Sequence, residues 1–383
     1  MNNLLIISIF IIIWIFLNIY YNKNGDKEVN KDNSNYKNNN NLGLKTYFGI
    51  FGILRTSLGL KLIDKIGKYR FWQKVGILLI PLCIIISILT FYMFLDSSIR
   101  LFTGEVPKDA GKPVIFLFGN TIPWIPGIIA LIIGITIHEL AHGIIAKSYN
   151  LKVKSTGLLL LLGIPLGAFV EIGDEFKNAS KKIRGAVSSA GPMANVVVFI
   201  ISILLTPLLY GATTDLTISK ILENNPAYGV LHEGDIIYSI NGKRITSFKD
   251  FYEIIKNIKP YEELEITVIR DGKKYDYKFI TNENGKIGIM VQPSSYVLFA
   301  LQTLYWTSML NLMLGFFNLL PAIPLDGFHV WNALPELIRD LGKSRIFSKL
   351  SNFLEYIINE KNLSSISLVV WGIIFMSIAY SMF

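Results

Sequence analysis

Long apolar runs alternate with polar segments along most of this chain, at about residues 2–21, 75–95, 123–146, 186–210, 296–320 and 364–383. Each approaches the ~20 residues that a helix needs to cross the hydrocarbon core of a bilayer. The pattern predicts a polytopic α-helical membrane protein with about six transmembrane helices, the first over 1–21 and the second over 74–96. No Lys or Arg precedes the first run and no small-residue cleavage site follows it, which favours a span over a leader peptide. The third and fourth runs fall within 120–210, the fifth within 296–335 and the last within a C-terminal region, 336–383.

Between the runs the pattern changes character. Residues 22–42 are Asn- and Lys-rich, with too few apolar positions to form a core, and read as a linker. Residues 43–73 mix apolar positions, glycines and spaced cations, which predicts an interfacial amphipathic segment, a re-entrant hairpin being the alternative. In STGLLLLLGIPLGAFVEI, 155–172, an apolar stretch is interrupted by Gly163, Pro165 and Gly167, too broken for a spanning helix.

Residues 213–293 are different again, with 11 basic and 12 acidic residues and short alternating stretches. ELEITVIRDGKKYDYKFIT reads as a hairpin turning at Asp271-Gly272, and 248–259 has helical spacing. These features predict an inserted small α+β domain. Its Gly234-Asp235-Ile236-Ile237 and Ile240-Asn241-Gly242 stretches resemble a PDZ domain of the circularly permuted type. The resemblance implies a peptide-binding edge in KIGIMV, 286–291. There the N–H groups of Ile287 and Gly288 would capture a peptide or a carboxyl terminus.

Composition agrees with the membrane reading: 51% of the residues are hydrophobic and 17% charged, against about a quarter charged in soluble domains. The formal charge of +9 is distributed as a topology signal. The segment 22–74 carries 11 basic and 4 acidic residues, and 147–185 carries 7 and 3, which predicts that both face the cytoplasm. The 97–122 loop and the inserted domain then lie outside, so nucleic acid is not an expected partner and the lipid bilayer is. Abundant Ile, Lys and Asn fit a prokaryotic cell membrane as the setting. Cys83 is alone in the chain, which excludes an intramolecular disulfide and a cysteine-based metal site.

The third run holds ITIHELAHGII, 135–145. His138 and His142 are four apart, so one helix face would aim both imidazoles at one point, as zinc ligands require. Glu139 is where HExxH metalloproteases keep the carboxylate that activates water. Ionisable groups inside a span are costly and usually functional. A zinc site needs a third protein ligand, and Asp326 in FFNLLPAIPLDGFHV is the favoured choice, with His329 competing. Pro321 and Pro324 would break the helix and let that ligand turn back, and the Asn318 amide would hydrogen-bond substrate or oxyanion.

Together, His138-Glu139-Leu140-Ala141-His142 and Asn318-Leu319-Leu320-Pro321 through Asp326-Gly327 resemble the site-2 protease family of intramembrane zinc metalloproteases, in its PDZ-containing branch. The Gly191-Pro192-Met193-Ala194-Asn195 stretch is similar to a small-residue motif of that family. The resemblance implies one Zn2+ per chain on His138, His142 and Asp326, Glu139 as general base, and Asn318 helping to hold substrate. The substrate implied is a single-span membrane protein, cut within or beside its membrane segment near the cytoplasmic face. Segment 155–172 would be a re-entrant β-hairpin whose edge, around Gly163, Pro165 and Gly167, pairs with unwound substrate. Two other classes compete: an ion or metal transporter using the same histidines, and a silent membrane scaffold.

Overall fold

The computed structural model describes residues 43–48, 50–107, 122–342 and 344–382, with Ser8, residues 11–16 and Ile19 before them. Its helices, in chain order, begin with α1 (Leu60–Gly67), α2 (Phe71–Thr103), α3 (Trp124–Ser148) and α4 (Lys181–Tyr210). They continue with α5 (Phe248–Ile255), α6 (Ser295–Phe317), α7 (Asp326–Asp340), α8 (Arg345–Ile357) and α9 (Glu360–Met382). Among the described residues α2, α3, α4, α6 and α9 are long and apolar enough to cross a bilayer. Most of the first expected span, 1–21, lies outside the described residues, as does the linker 22–42. The described part, 11–16, is helical, and its Trp14 is buried against Gly52, where a Cβ would meet the indole.

The chain divides into two compact units, residues 1–199 with 309–383, and residues 200–308. In the first, α2, α3, α4 and α7 share a core of Ile80, Cys83, Ile145, Ala186, Val187, Leu319 and Val330. Gly185 on α4 permits the closest approach: a Cβ there would lie 2.3 Å from that of Ala333 on α7.

A four-stranded antiparallel sheet completes this unit, in the order β1 (Gly43–Tyr47), β2 (Phe51–Thr56), β3 (Val153–Leu161), β4 (Ile164–Ile172). Segment 155–172 is thus a hairpin, turned by Leu162 and Gly163 at φ 49° and 82°, the two-residue geometry that suits strand twist. Over 43–73 the structure has the hairpin of the alternative expectation rather than one continuous amphipathic segment. Residues 43–56 form a second hairpin that pairs with β3, and the helix α1 is confined to 60–67. Arg55 of β2 has a partner on β4, its Nε lying 3.5 Å from a Glu171 oxygen.

The second unit holds six strands: β5 (Leu216–Ile221), β6 (Ile236–Ile240), β7 (Lys243–Arg244), β8 (Glu263–Arg270), β9 (Lys273–Ile280) and β10 (Ile289–Pro293). The order β10-β5-β6-β8-β9, with β7 paired to β6, leaves β10 at an edge. Asp271 and Gly272, both at positive φ, turn the β8–β9 hairpin. Ser247 caps α5 by accepting from the Asp250 N–H at 3.1 Å. Leu216, Ile218, Ile237, Ile266, Val268 and Phe251 fill the core.

Candidate active site

The 3.6-residue period of α3 brings His138 and His142 to one side, with ring centroids 4.7 Å apart. The third group arrives from a chain break. After α6 ends at Phe317, the segment 318–325 cannot continue the helix across Pro321 and Pro324. It is pinned from α9, where Ser367 Oγ accepts the Ile323 N–H at 2.9 Å and Trp371 Nε1 donates to the Ile323 carbonyl at 2.7 Å. Asp326 opens the next helix, and Gly327 allows the turn, because a Cβ there would lie 2.3 Å from two backbone carbonyls.

As a result Asp326 Oδ2 lies 3.1 Å from His138 Nε2 and 3.2 Å from His142 Nε2. Among the described residues these three form a group whose ligand atoms fall within 4.8 Å of one another. The far ring nitrogens are committed: His142 Nδ1 donates to the Val187 carbonyl at 2.7 Å, and His138 Nδ1 meets Asn195 Oδ1 at 2.5 Å. With the protons held on Nδ1, both Nε2 lone pairs point at Asp326. Asn195 is fixed in turn, its amide donating to the Gly134 carbonyl at 3.0 Å and to Asn311 Oδ1 at 2.7 Å.

Two imidazole nitrogens and a carboxylate oxygen make a donor set that zinc takes. The two spacings to Asp326, 3.1 and 3.2 Å, are near the ~3.3 Å expected between ligands of a tetrahedral site with ~2.05 Å bonds. The space is kept open by Gly191 on α4. A Cβ there would lie 2.4 Å from His142 Nε2 and 2.6 Å from His138 Nε2.

Glu139 faces the same cavity, a volume of about 360 Å³ also bounded by Asn318, Asp326, Gly167 and Pro324. Its Oε2 accepts the Val170 N–H of β4 at 2.9 Å. Since β4 ends the sheet, that N–H is one of the edge groups not used by β3. Leu166, Gly167 and Ala168 of the same strand line the cavity.

The remaining expected residues distribute as follows. Asn318 lines the cavity, and its carbonyl accepts the Gly327 N–H at 2.7 Å. Gly163 is in the β3–β4 turn and Pro165 is buried opposite Leu160, both outside the cavity lining. His329 stands apart from the three-ligand group, packed edge-on against Phe176 and Phe328. In the second unit, the carbonyls of Ile287 and Gly288 accept from Ala227 and Leu222 at 3.0 and 2.8 Å just before the edge strand β10. Asn311 and Val170 are not among the expected residues, and Gly191 and Asn195 are expected only as parts of a small-residue stretch. A signal for the two asparagines existed, because each is an amide inside an otherwise apolar run.

Comparison with known proteins adds lineage to geometry. The profile of Peptidase family M50 matches residues 126–358. An uncharacterized protein of Methanocaldococcus jannaschii is 56% identical over 347 residues, 91% of this chain and 94% of that protein. A Brucella suis protein named as a candidate zinc metalloprotease is 27% identical over 227 residues, 49% of this chain and 57% of that protein. Among solved structures, the PDZ domain of the SdrC-like protein of Listeria monocytogenes is 25% identical, covering 20% of this chain and 85% of that one at a TM-score of 0.19.

Proposed function

Because the chain belongs to Peptidase family M50, we propose that it is an intramembrane zinc metalloprotease acting on single-span membrane proteins. The observation that carries this reading is the convergence of His138, His142 and Asp326 on one point beside Glu139. These three side chains would hold one zinc ion. Bound there, zinc would supply Lewis acidity toward the scissile carbonyl and lower the pKa of water toward neutrality. Glu139 takes a proton from the attacking water on its Oε1 and returns it to the leaving amine. Its Oε2 is steadied meanwhile by the Val170 N–H. Asn318, on the same cavity, holds the substrate backbone or the developing oxyanion.

A helical substrate hides its backbone amides, so cleavage needs a locally extended segment. The β4 edge supplies hydrogen-bond partners for such a segment directly beside the base, which supports pairing of substrate with Leu166–Ala168, the Val170 N–H staying on Glu139. In the inserted domain the β10 edge, after Ile287 and Gly288, suits a peptide or a freed carboxyl terminus. The basic segments 22–74 and 147–185 orient the catalytic site toward the cytoplasmic side of a cell membrane and the inserted domain to the outside.

The test compares wild type with Glu139→Gln in detergent, measuring zinc content and cleavage of a single-span substrate. About one zinc in each, with cleavage reduced at least ~10³-fold in the variant, is the expected outcome. Zinc absent from the wild type would overturn the reading. Equal cleavage by both would remove Glu139 from the chemistry.

A further inference from the structure

Helix α8, RIFSKLSNFLEYI, takes no part in the site. Ile346, Leu350, Phe353 and Ile357 recur at i, i+4, i+7 and i+11, which places them on one stripe of the helix. All four are exposed, at 75, 42, 59 and 46%. The helix does not need that stripe to pack. Its adjoining face carries the buried Ser351, which donates to the Pro335 carbonyl at 2.8 Å, and Leu354, which joins Phe328, Ile358 and Leu363.

On the other flank of the stripe, within about a turn's arc, stand Arg345, Lys349 and Tyr356, all exposed. The acids nearby are already taken. Glu355 pairs with Lys181 at 3.2 Å and Arg339 at 2.7 Å, and Glu360 with Arg184 at 3.2 Å. Among the described residues neither Arg345 nor Lys349 has an acidic partner. The helix also ends at Ile357, just before α9 begins its bilayer-length run at Glu360. An apolar stripe bordered by cations and a tyrosine, at the mouth of a span, has the composition of an interfacial helix. Two copies of this face would bring Arg345 and Lys349 against their own kind, which disfavours self-association.

We propose that Arg345–Ile357 lies in the membrane–water interface, its Ile346–Leu350–Phe353–Ile357 stripe set into an anionic lipid surface. Arg345 and Lys349 meet the headgroup charge and Tyr356 sits at headgroup level.

Single cysteines at 346, 350, 353, 348 and 352 carry a nitroxide label in the full chain, where the native Cys83 is buried. The protein is reconstituted in vesicles of phosphatidylcholine with phosphatidylglycerol, and collision with oxygen is compared with collision with a water-soluble nickel chelate. Labels at 346, 350 and 353 are expected to favour oxygen, and those at 348 and 352 nickel. Removing phosphatidylglycerol, or changing Arg345 and Lys349 to Gln, should weaken the docked state by about fivefold per cation. Nickel access at all five sites would put the helix in water and overturn the proposal. Protection of the stripe from both reagents would give it to a second copy or another protein, and a depth indifferent to lipid charge would remove the anionic requirement.

Discussion

Asp326 and Asp235 are both carboxylates withdrawn from bulk water, and the two units treat them in opposite ways. Asp235 is closed off: Arg270 donates to its two oxygens at 2.6 and 2.7 Å, and the His232 N–H adds a third bond at 2.8 Å. Asp326 is left open, its Oδ2 shared by two imidazole nitrogens on the wall of a cavity. The first arrangement satisfies a buried charge and leaves nothing for a ligand. The second assembles donor atoms whose mutual geometry is completed only by a cation. Burial of polarity is therefore not by itself a sign of function. The distinction is whether the partners close on each other or around a space.

The comparison breaks most completely by filling that space. Gly191→Ala puts a methyl within 2.4–2.6 Å of both Nε2 atoms, where the metal would sit. Neither the ring nitrogens nor the α4 backbone can yield that much. Zinc content near zero and cleavage at background are expected, with α-helical circular dichroism unchanged. A variant that keeps its zinc would show that the ion lies elsewhere.

A smaller effect comes from loosening the support behind the ligands. Asn195→Ala deprives His138 Nδ1 of its 2.5 Å partner, and Asn311→Leu deprives Asn195 of its own at 2.7 Å. Loss of such outer partners typically weakens metal affinity by about 10–100-fold. Competition with a chelator should show Asn195→Ala weakened within that range and Asn311→Leu weakened less, its affinity lying between those of the wild type and Asn195→Ala. Equal affinity in all three would mean that helix packing alone orients the ring.

How much of this was legible depends on how local each signal was. The spans at 71–103, 124–148, 181–210, 295–317 and 360–382 follow from apolar runs that need no partner to be recognised. The His138–His142 pair follows from a four-residue spacing, and the β8–β9 hairpin from Asp271-Gly272. The β1–β2 hairpin is only the alternative reading of 43–73, because the strand that completes its sheet, β3, pairs with 51–56 from about a hundred residues away. Their cations and glycines looked interfacial on their own. Gly191 and Asn195 are visible as a small-residue stretch, but only the crossing of α4 over α3 shows that one clears the space beside both imidazoles and the other holds His138 Nδ1.

The closed carboxylate gives the gentlest test, and its sign in pH is fixed. Burial pushes the Asp235 carboxyl up, but the hydrogen bonds from Arg270 and the His232 N–H more than offset it and hold the group below the usual carboxylate range. A depressed folded-state pKa contributes stability that is fully present above the unfolded value of about 3.9 and disappears as pH falls through the lower folded value. Asp235→Asn removes the charge pair and should lower the urea midpoint of residues 216–293, followed by hydrogen exchange in the intact solubilised chain. The gap from wild type should stay level from neutral pH down to about 4 and narrow below it. Catalysis and zinc content should be unmoved, because Asp235 contributes neither ligand nor base. A gap that widens on acidification would mean that the pair is stabilised by something other than the ionised carboxylate, and the contrast with Asp326 would have to be redrawn.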